Sequence, residues 1–458
     1  MKLFTHMLLL ISGLSLSGAS VFTVENKQIH LNGEPFQIRG ICYSPNQMGK
    51  TGTEAPFGDY YTGLFLSITG PDNENMRRMG ANVQRGYGWT VGSNHTAYLD
   101  RSYNDGVNPI YVFINRWIDP NTAWNNAAAV EAVKNDWVAI AEETKDHPAI
   151  IGYLLGNEHN VQSGNGTNPF FWQAMETVAA AVKEVAPDKL VSVAITDALG
   201  QVGTYDETLA SIDFWAIQVY RSTTFGTFFE EYKAVSDKPV VLTEYGYDAY
   251  DNIAQSEYPD NAAFSADVVE GMIGEINANS DVCAGGIIFS YRDEWWKAEG
   301  SLSTQDNGGL PAGGMPDRLL NEEWWGIFKA EDNGFLADKL TPRALYYRLI
   351  SLWNPLPEIE ATVTLEEPNL RIAFERDPDD RDFRYAVEIS NDLKNWTPIA
   401  DNADSEGLEV IEGESLVITE TEVNGVIQVT IEDADFTGRG SGTFLRAGIG
   451  SRELQPES

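Results

Sequence analysis

Eight short runs rich in apolar and β-branched residues recur between residues 36 and 291, and this repetition constrains the fold more than any other feature. They are "FQIRGIC" (36–42), "NVQRGYG" (82–88), "PIYVFIN" (109–115), "IIGYLLG" (150–156), "LVSVAI" (190–195), "FWAIQVY" (214–220), "PVVLTE" (239–244) and "GGIIFSY" (285–291). Several are nearly continuous in apolar character, the pattern of strands covered on both faces rather than of a half-exposed sheet. Segments with helical spacing lie between them. Residues 125–145 put Val130, Val133, Trp137 and Ile140 on one helical face. Asn168 and Pro169 supply a cap and a first-turn proline for a helix over 169–185. "FFEEYKAVS" and "ADVVEGMIGEI" read as two more helices, and "TPRALYYRLISLW" as a last one with Thr341 as cap and Pro342 at its first position. Eight such strands alternating with helices predict an α/β fold, a (β/α)8 TIM barrel over residues 21–354. The other arrangement of these elements, an open doubly wound sheet, lacks support because no glycine-rich phosphate loop follows the first run.

The two ends of the chain differ from this repeat. Lys2 and His6, the apolar "MLLLISGLSL" and the small residues of "SGAS" read as an export signal over residues 1–20. The apolar stretch is too short to span a bilayer, so no transmembrane segment is expected. The mature protein is expected to be secreted, periplasmic or at the cell surface. After "WNPLP" the helical patterns stop, and β-rich runs such as "FRYAVEIS" and "GVIQVTIED" alternate with polar turns. Residues 355–458 are therefore expected to form a small acidic β-sandwich. "DPDDRD" (377–382) lacks the glycine and terminal glutamate of a calcium loop and reads as a solvated turn.

Charge and cysteine content narrow the function classes. The net charge is −37, a field that repels nucleic-acid phosphates and makes anionic polymers poor partners. Cys42 ends the first strand and Cys283 precedes the eighth, so parallel strands should hold them at opposite ends, roughly 20 Å apart, as free thiols. The five histidines show no metal-ligand spacing, and no Gly-x-Ser-x-Gly elbow is present, so no metal, no cofactor and no serine-hydrolase chemistry is expected.

Chemistry concentrates at two strand ends. Glu158 follows the fourth run in "LLGNEHN", and Glu244 closes the seventh in "VVLTEYGYD". In a barrel both would project at the C-terminal face, where active sites lie. A carboxyl at the rim is weak information alone, but two ending apolar strands across one mouth match the needs of glycoside hydrolysis. One must protonate the leaving oxygen while the other approaches the sugar carbon from the opposite side. Arg85 beside Glu244 would favour its charged form, and the more apolar setting of Glu158 would favour its protonated form.

"HPAIIGYLLGNEHN" and "KPVVLTEYGYD" resemble the glycoside hydrolases of clan A, retaining β-glycosidases on (β/α)8 barrels, and the resemblance covers residues 28–353. It implies Glu158 as acid/base, Glu244 as nucleophile and Asn157 as the partner of the sugar hydroxyl next to the reacting carbon. It also implies that Arg85 and Tyr220 orient the nucleophile. "IRGICYSP", "NMRRMGANVQRGYGW" and "VYRSTTFGTFFEEY" are similar to β-1,3-glucanosyltransferases and β-1,3-glucanases, whereas "FSYRDEWWK" and "NEEWWGIF" are similar to glycoside hydrolase family 2 barrels. The substrate so implied is a neutral oligo- or polysaccharide, with β-1,3-glucan first and β-galactoside, β-mannan or agarose as alternatives. Tyr291, Trp295 and Trp89 are candidate stacking platforms, and Trp296, Trp324 and Trp325 share the same loop region. A carbohydrate-binding protein without turnover is the competing class, and His159 carries no assigned role.

Overall fold

The computed structural model describes residues 20–50, 59–297 and most of 302–354, together with β-strands between 361 and 451. The expected export signal, the acidic turn 377–382 and Trp396 lie outside the described residues.

Eight parallel strands close into a barrel: β1 (Ile38–Cys42), β2 (Val83–Arg85), β3 (Tyr111–Arg116), β4 (Ile150–Leu155), β5 (Leu190–Thr196), β6 (Trp215–Gln218), β7 (Val240–Tyr245) and β8 (Cys283–Ile288). Neighbours in sequence are neighbours in the sheet, and β8 pairs with β1 to close it. The closure depends on Gly285, whose φ is +122°. A Cβ there would run into the Ile38 carbonyl, so β8 can lie beside β1 only with a glycine at this point.

Among the described residues eight α-helices accompany the strands: α1 (Leu66–Met79), α2 (Thr96–Tyr103), α3 (Ala127–Thr144), α4 (Pro169–Val185), α5 (Leu199–Tyr205), α6 (Phe228–Lys233), α7 (Pro259–Ala278) and α8 (Ala344–Trp353). Asn168 caps α4 by accepting from Phe170 N–H, with Pro169 in the first turn as expected. The expected cap of the last helix is not observed. Lys339–Pro342 pairs instead with Phe328–Glu331, so Thr341 and Pro342 are strand residues and α8 starts at Ala344. A hairpin register set by distant residues overrides the local cap signal. Helix α1 is not among the helices that the spacing predicts; Pro71 and several polar residues inside it mask its periodicity.

Two apolar layers result. Outward-facing strand residues such as Ile41, Val112, Tyr153, Val193, Trp215 and Leu242 meet the helices. Inward-facing Ile38, Val83, Phe113, Ile151, Ala216 and Val241 fill the barrel. Phe22 and Ile29, from the hairpin strands Phe22–Glu25 and Gln28–Leu31, join this inner cluster and pack against its lower end. Both cysteines are buried and free. Among the described residues no helix is long and apolar enough to cross a membrane. Towards the C-terminus the chain forms two four-stranded antiparallel sheets, the components expected of a sandwich.

Candidate active site

Period-two alternation determines which side chains reach the barrel mouth. The last inward positions are Cys42 on β1, Arg85 on β2, Asn115 on β3 and Gln218 on β6, each continuing the parity of an inner-cluster residue on the same strand. Strict alternation on β7 would aim Glu244 outwards, because Val240 and Leu242 face the helices while Val241 faces in. The ladder between β6 and β7 slips between Leu242 and Glu244, and that between β7 and β8 slips between Leu242 and Tyr245. This irregularity reverses the parity and turns the Glu244 carboxylate into the mouth.

Glu244 is held by four donors. Its Oε1 accepts from Arg85 Nη1 (2.9 Å), Tyr87 OH (2.6 Å) and Gln218 Nε2 (3.0 Å), and its Oε2 from Tyr220 OH (3.0 Å). Arg85 is fully buried and also donates to Thr243 O (2.9 Å), Asn115 Oδ1 (3.0 Å) and Asn157 Oδ1 (2.6 Å). Burial disfavours the guanidinium charge, but Tyr87, Glu244, Cys42 and Glu158 outweigh it and leave the Arg85 pKa above its ordinary value. Burial also raises the Tyr87 and Tyr220 phenols well above their usual range, so both remain O–H donors. Asn157 Oδ1 accepts from Gln218 Nε2 as well (2.7 Å), which leaves the Asn157 amide N–H groups as donors.

Glu158 stands in contrast. It leaves β4 in a left-handed conformation, φ +54°, with its N–H donating to Ala194 O on β5 (3.0 Å). Such a backbone is uncommon for a residue with a Cβ and marks a position fixed by its surroundings. Among the described residues its carboxyl accepts no side-chain hydrogen bond. Burial first, and then the charge of Glu244, push its pKa up to about 7.

His159 has a structural part. Its Nδ1 accepts from Asn157 N–H (2.9 Å), and its Nε2 is hydrogen-bonded to the Ile118 carbonyl. Burial lowers its pKa, consistent with a neutral ring protonated on Nε2. At Gly156, φ +69°, a Cβ would lie 2.8 Å from His159 Nδ1, so the glycine is what lets the ring sit under the loop. His159→Ala is expected to destabilise the protein by about 1–3 kcal/mol and to lower activity by releasing Asn157. The shape of its pH–rate profile should match the wild type. A profile that loses one limb would instead make His159 a proton-transfer group.

The aromatic expectations divide. Tyr291 is fully buried; its OH donates to Asp72 Oδ1 (3.0 Å) and accepts from Asn75 Nδ2 (3.2 Å), so it belongs to the core under the mouth and offers no face to a ligand. Trp89 is 4% exposed, stacks on His95 with centroids 3.7 Å apart and lies near Tyr61, a packing position. Trp295 and Trp296 are half-buried on the loop after β8. Trp325 packs edge-on against Tyr220 (5.1 Å) and backs the wall behind Glu244. Trp117, not singled out from sequence, is 57% exposed and sits 6.1 Å from the His159 ring, on the Glu158 side.

Sequence reasoning also passed over Tyr87, Asn115, Gln218, Glu294 and Lys297. Inward parity at the ends of β2, β3 and β6 was a usable signal for the first three. No periodicity governs the loop that carries the last two. Lys297 Nζ lies 3.5 Å from Glu294 Oε2 and 3.8 Å from Glu322 Oε2, and over the rings of Phe289 (4.8 Å) and Trp296 (5.1 Å).

No protein-family model matches the chain, and no curated protein matches it in sequence. Solved structures share its fold. A β-glucuronidase of Bacteroides uniformis matches with 15% identity and TM-score 0.50 over 90% of this chain and 48% of its own. A family 2 β-galacturonidase of Eisenbergiella tayi, bound to galacturonate, matches with 16% identity and TM-score 0.50 over 74% and 54%. An exo-β-1,4-mannosidase from Opitutaceae bacterium strain TAV5 matches with 12% identity and TM-score 0.50 over 72% and 62%. The chain thus spans about half the length of the glucuronidase it matches. At these identities the likeness establishes the fold.

Proposed function

We propose that the protein is a retaining β-glycosidase of the clan A type, with Glu244 as nucleophile and Glu158 as acid/base. The observation that carries this reading is the asymmetry of the two carboxyls: among the described residues Glu244 receives four hydrogen bonds, whereas Glu158 receives none from side chains and its pKa is pushed up to about 7. An ionised carboxylate facing a protonated one is what the first step requires. Oε2 of Glu244, with Tyr220 its one donor among the described residues, is the oxygen that attacks the anomeric carbon, while Glu158 protonates the departing oxygen. Glu158, then ionised, draws the proton from water or from a second sugar hydroxyl, which displaces Glu244 with net retention. The side-chain amide Nδ2 of Asn157 would donate to the sugar hydroxyl beside the reacting carbon. This mechanism calls for carboxyl groups about 5–5.5 Å apart.

The substrate we propose is a neutral β-glucan, β-1,3-glucan first, met outside the cytoplasm after export. The motif resemblance supports the linkage, and exposed Trp117 beside the proton donor supports a sugar ring rather than a small aglycone as leaving group. The purified protein should be incubated with a panel of neutral polysaccharides and the products chromatographed over time. Shorter oligosaccharides alone indicate hydrolysis, and products longer than the donor indicate transfer. No product from any β-glucan would overturn the substrate, and an α-anomer as first product would overturn retention.

The pH dependence has a definite sign. Glu158 is a carboxyl whose pKa is raised, so its acid form is present below about 7 and lost above it. kcat/KM should therefore fall on the alkaline side with an apparent pKa near 7, a property of the coupled Glu158–Glu244 pair. In Glu158→Gln that limb should vanish for an aryl glycoside whose leaving group needs no protonation.

A further inference from the structure

The loop after β8 brings a second charged group to the mouth, and it rests on the glycosidase reading only for the identity of the ligand. Lys297 is half-buried, and its chain of contacts leads to the nucleophile. Its ammonium lies over Phe289, Phe289 packs on Trp325 (5.9 Å), Trp325 packs on Tyr220, and Tyr220 bonds Glu244. Behind the ammonium stands Glu294, 4% exposed, whose Oε2 makes no hydrogen bond among the described residues. The 3.5 Å and 3.8 Å separations from Glu294 and Glu322 are ion pairs longer than an N–H···O bond. They balance the charge while leaving N–H donors of Lys297 uncommitted.

We propose that Lys297 is a specificity-determining donor to a hydroxyl of the sugar bound over Glu244, and that Glu294 and Glu322 neutralise it so that the site takes a neutral pyranose and rejects a uronic acid. The argument is one of charge matching. A buried sugar carboxylate needs a cation of its own, since an unpaired charge out of water is costly. Arg85 is matched by Glu244, and Lys297 is matched by Glu294 and Glu322. A hydroxyl needs only a donor and brings no charge. Burial opposes the charge of Lys297, and the fields of Glu294, Glu322, Glu244 and Glu158 more than restore it, so the group stays an ammonium with N–H donors to offer.

The test measures binding by calorimetry with two iminosugar probes that share a protonated ring nitrogen: isofagomine, whose hydroxymethyl group is uncharged (the neutral probe), and its counterpart with a carboxylate at that position (the uronic probe). Neither requires turnover. The wild type should bind the neutral probe at least about tenfold more tightly. Lys297→Met should weaken the neutral probe by about tenfold, loss of one charged donor. Glu294→Gln, which frees the Lys297 charge without changing shape, should narrow the preference by about five- to tenfold in favour of the uronic probe. Glu322→Gln serves the same purpose should Glu294→Gln fail to fold. Equal or tighter binding of the uronic probe by the wild type, or a preference unmoved in all three variants, would overturn the proposal. Covalent labelling by neutral cyclophellitol aziridine, read by intact mass, separates the two claims. Labelling at Glu244 with a uronic preference removes only the specificity assignment. Absent labelling with the neutral preference intact removes the glycosidase reading and leaves the assignment standing.

Discussion

Glu244→Gln is expected to lower kcat by about 10⁴-fold or more while the protein stays folded and still binds its sugar. Glutamine keeps an oxygen for Arg85, Tyr87 and Gln218, and its amide can donate to the Tyr220 oxygen, so the network of four contacts survives. What is lost is the nucleophile. The role of each carboxyl can be read from the stereochemistry of rescue in the alanine variants. With an activated aryl β-glycoside, azide should enter the Glu244→Ala cavity and give an α-glycosyl azide, because it attacks from the face Glu244 used. In Glu158→Ala, azide should instead intercept the glycosyl-enzyme and give a β-glycosyl azide, since it needs no base. The opposite assignment of anomers would exchange the two roles. A carbohydrate-binding protein would show no turnover to lose in any of these variants.

Arg85→Ala should cost about 3–5 kcal/mol of stability, measured by chemical denaturation, the range for breaking a buried ion pair by removing one partner. The cost arises because Glu244, Asn115 and Asn157 each lose one donor, and Glu244 loses the cation paired with it within the barrel. Arg85→Lys is the more informative variant. A lysine keeps the charge but cannot reach four acceptors from one planar fork. Its kcat should fall by about 100-fold or more with a smaller loss of stability, because a nucleophile held loosely is misplaced for in-line attack. Wild-type kcat in Arg85→Lys would show that charge alone, without the fork geometry, holds Glu244.

Much of this site was legible in the chain. Continuous apolar runs can be stable only as covered parallel strands, and eight of them in alternation with helices leave few arrangements other than a closed barrel. From the order of strands alone, Glu158 and Glu244 fall at the same mouth, with Arg85 at the end of β2 and Asn157 next to Glu158 after β4. The structure adds what local pattern cannot carry. Tyr291 and Trp89 have the composition of stacking platforms, yet Tyr291 is bonded to Asp72 from 219 residues away, and Trp89 is stacked on His95, which in turn bonds Asp59. His159 acquires its meaning only from the Ile118 carbonyl, 41 residues away.

By itself the sequence determined the barrel, the mouth at which the candidate site lies and the two carboxyls placed there, because each follows from periodicity and strand order along one chain. The tertiary structure decided which carboxyl receives four hydrogen bonds and which has its pKa raised by burial, and it decided that Glu244 points inwards at all. That orientation depends on a slip in register between β7 and its neighbours, and the hydrogen bonds to Glu244 converge from residues on β2, its following loop, β6 and its following loop. The physical reason is that register and electrostatic environment are properties of strands lying side by side. Residues far apart in sequence set them jointly, and no window of the chain contains them.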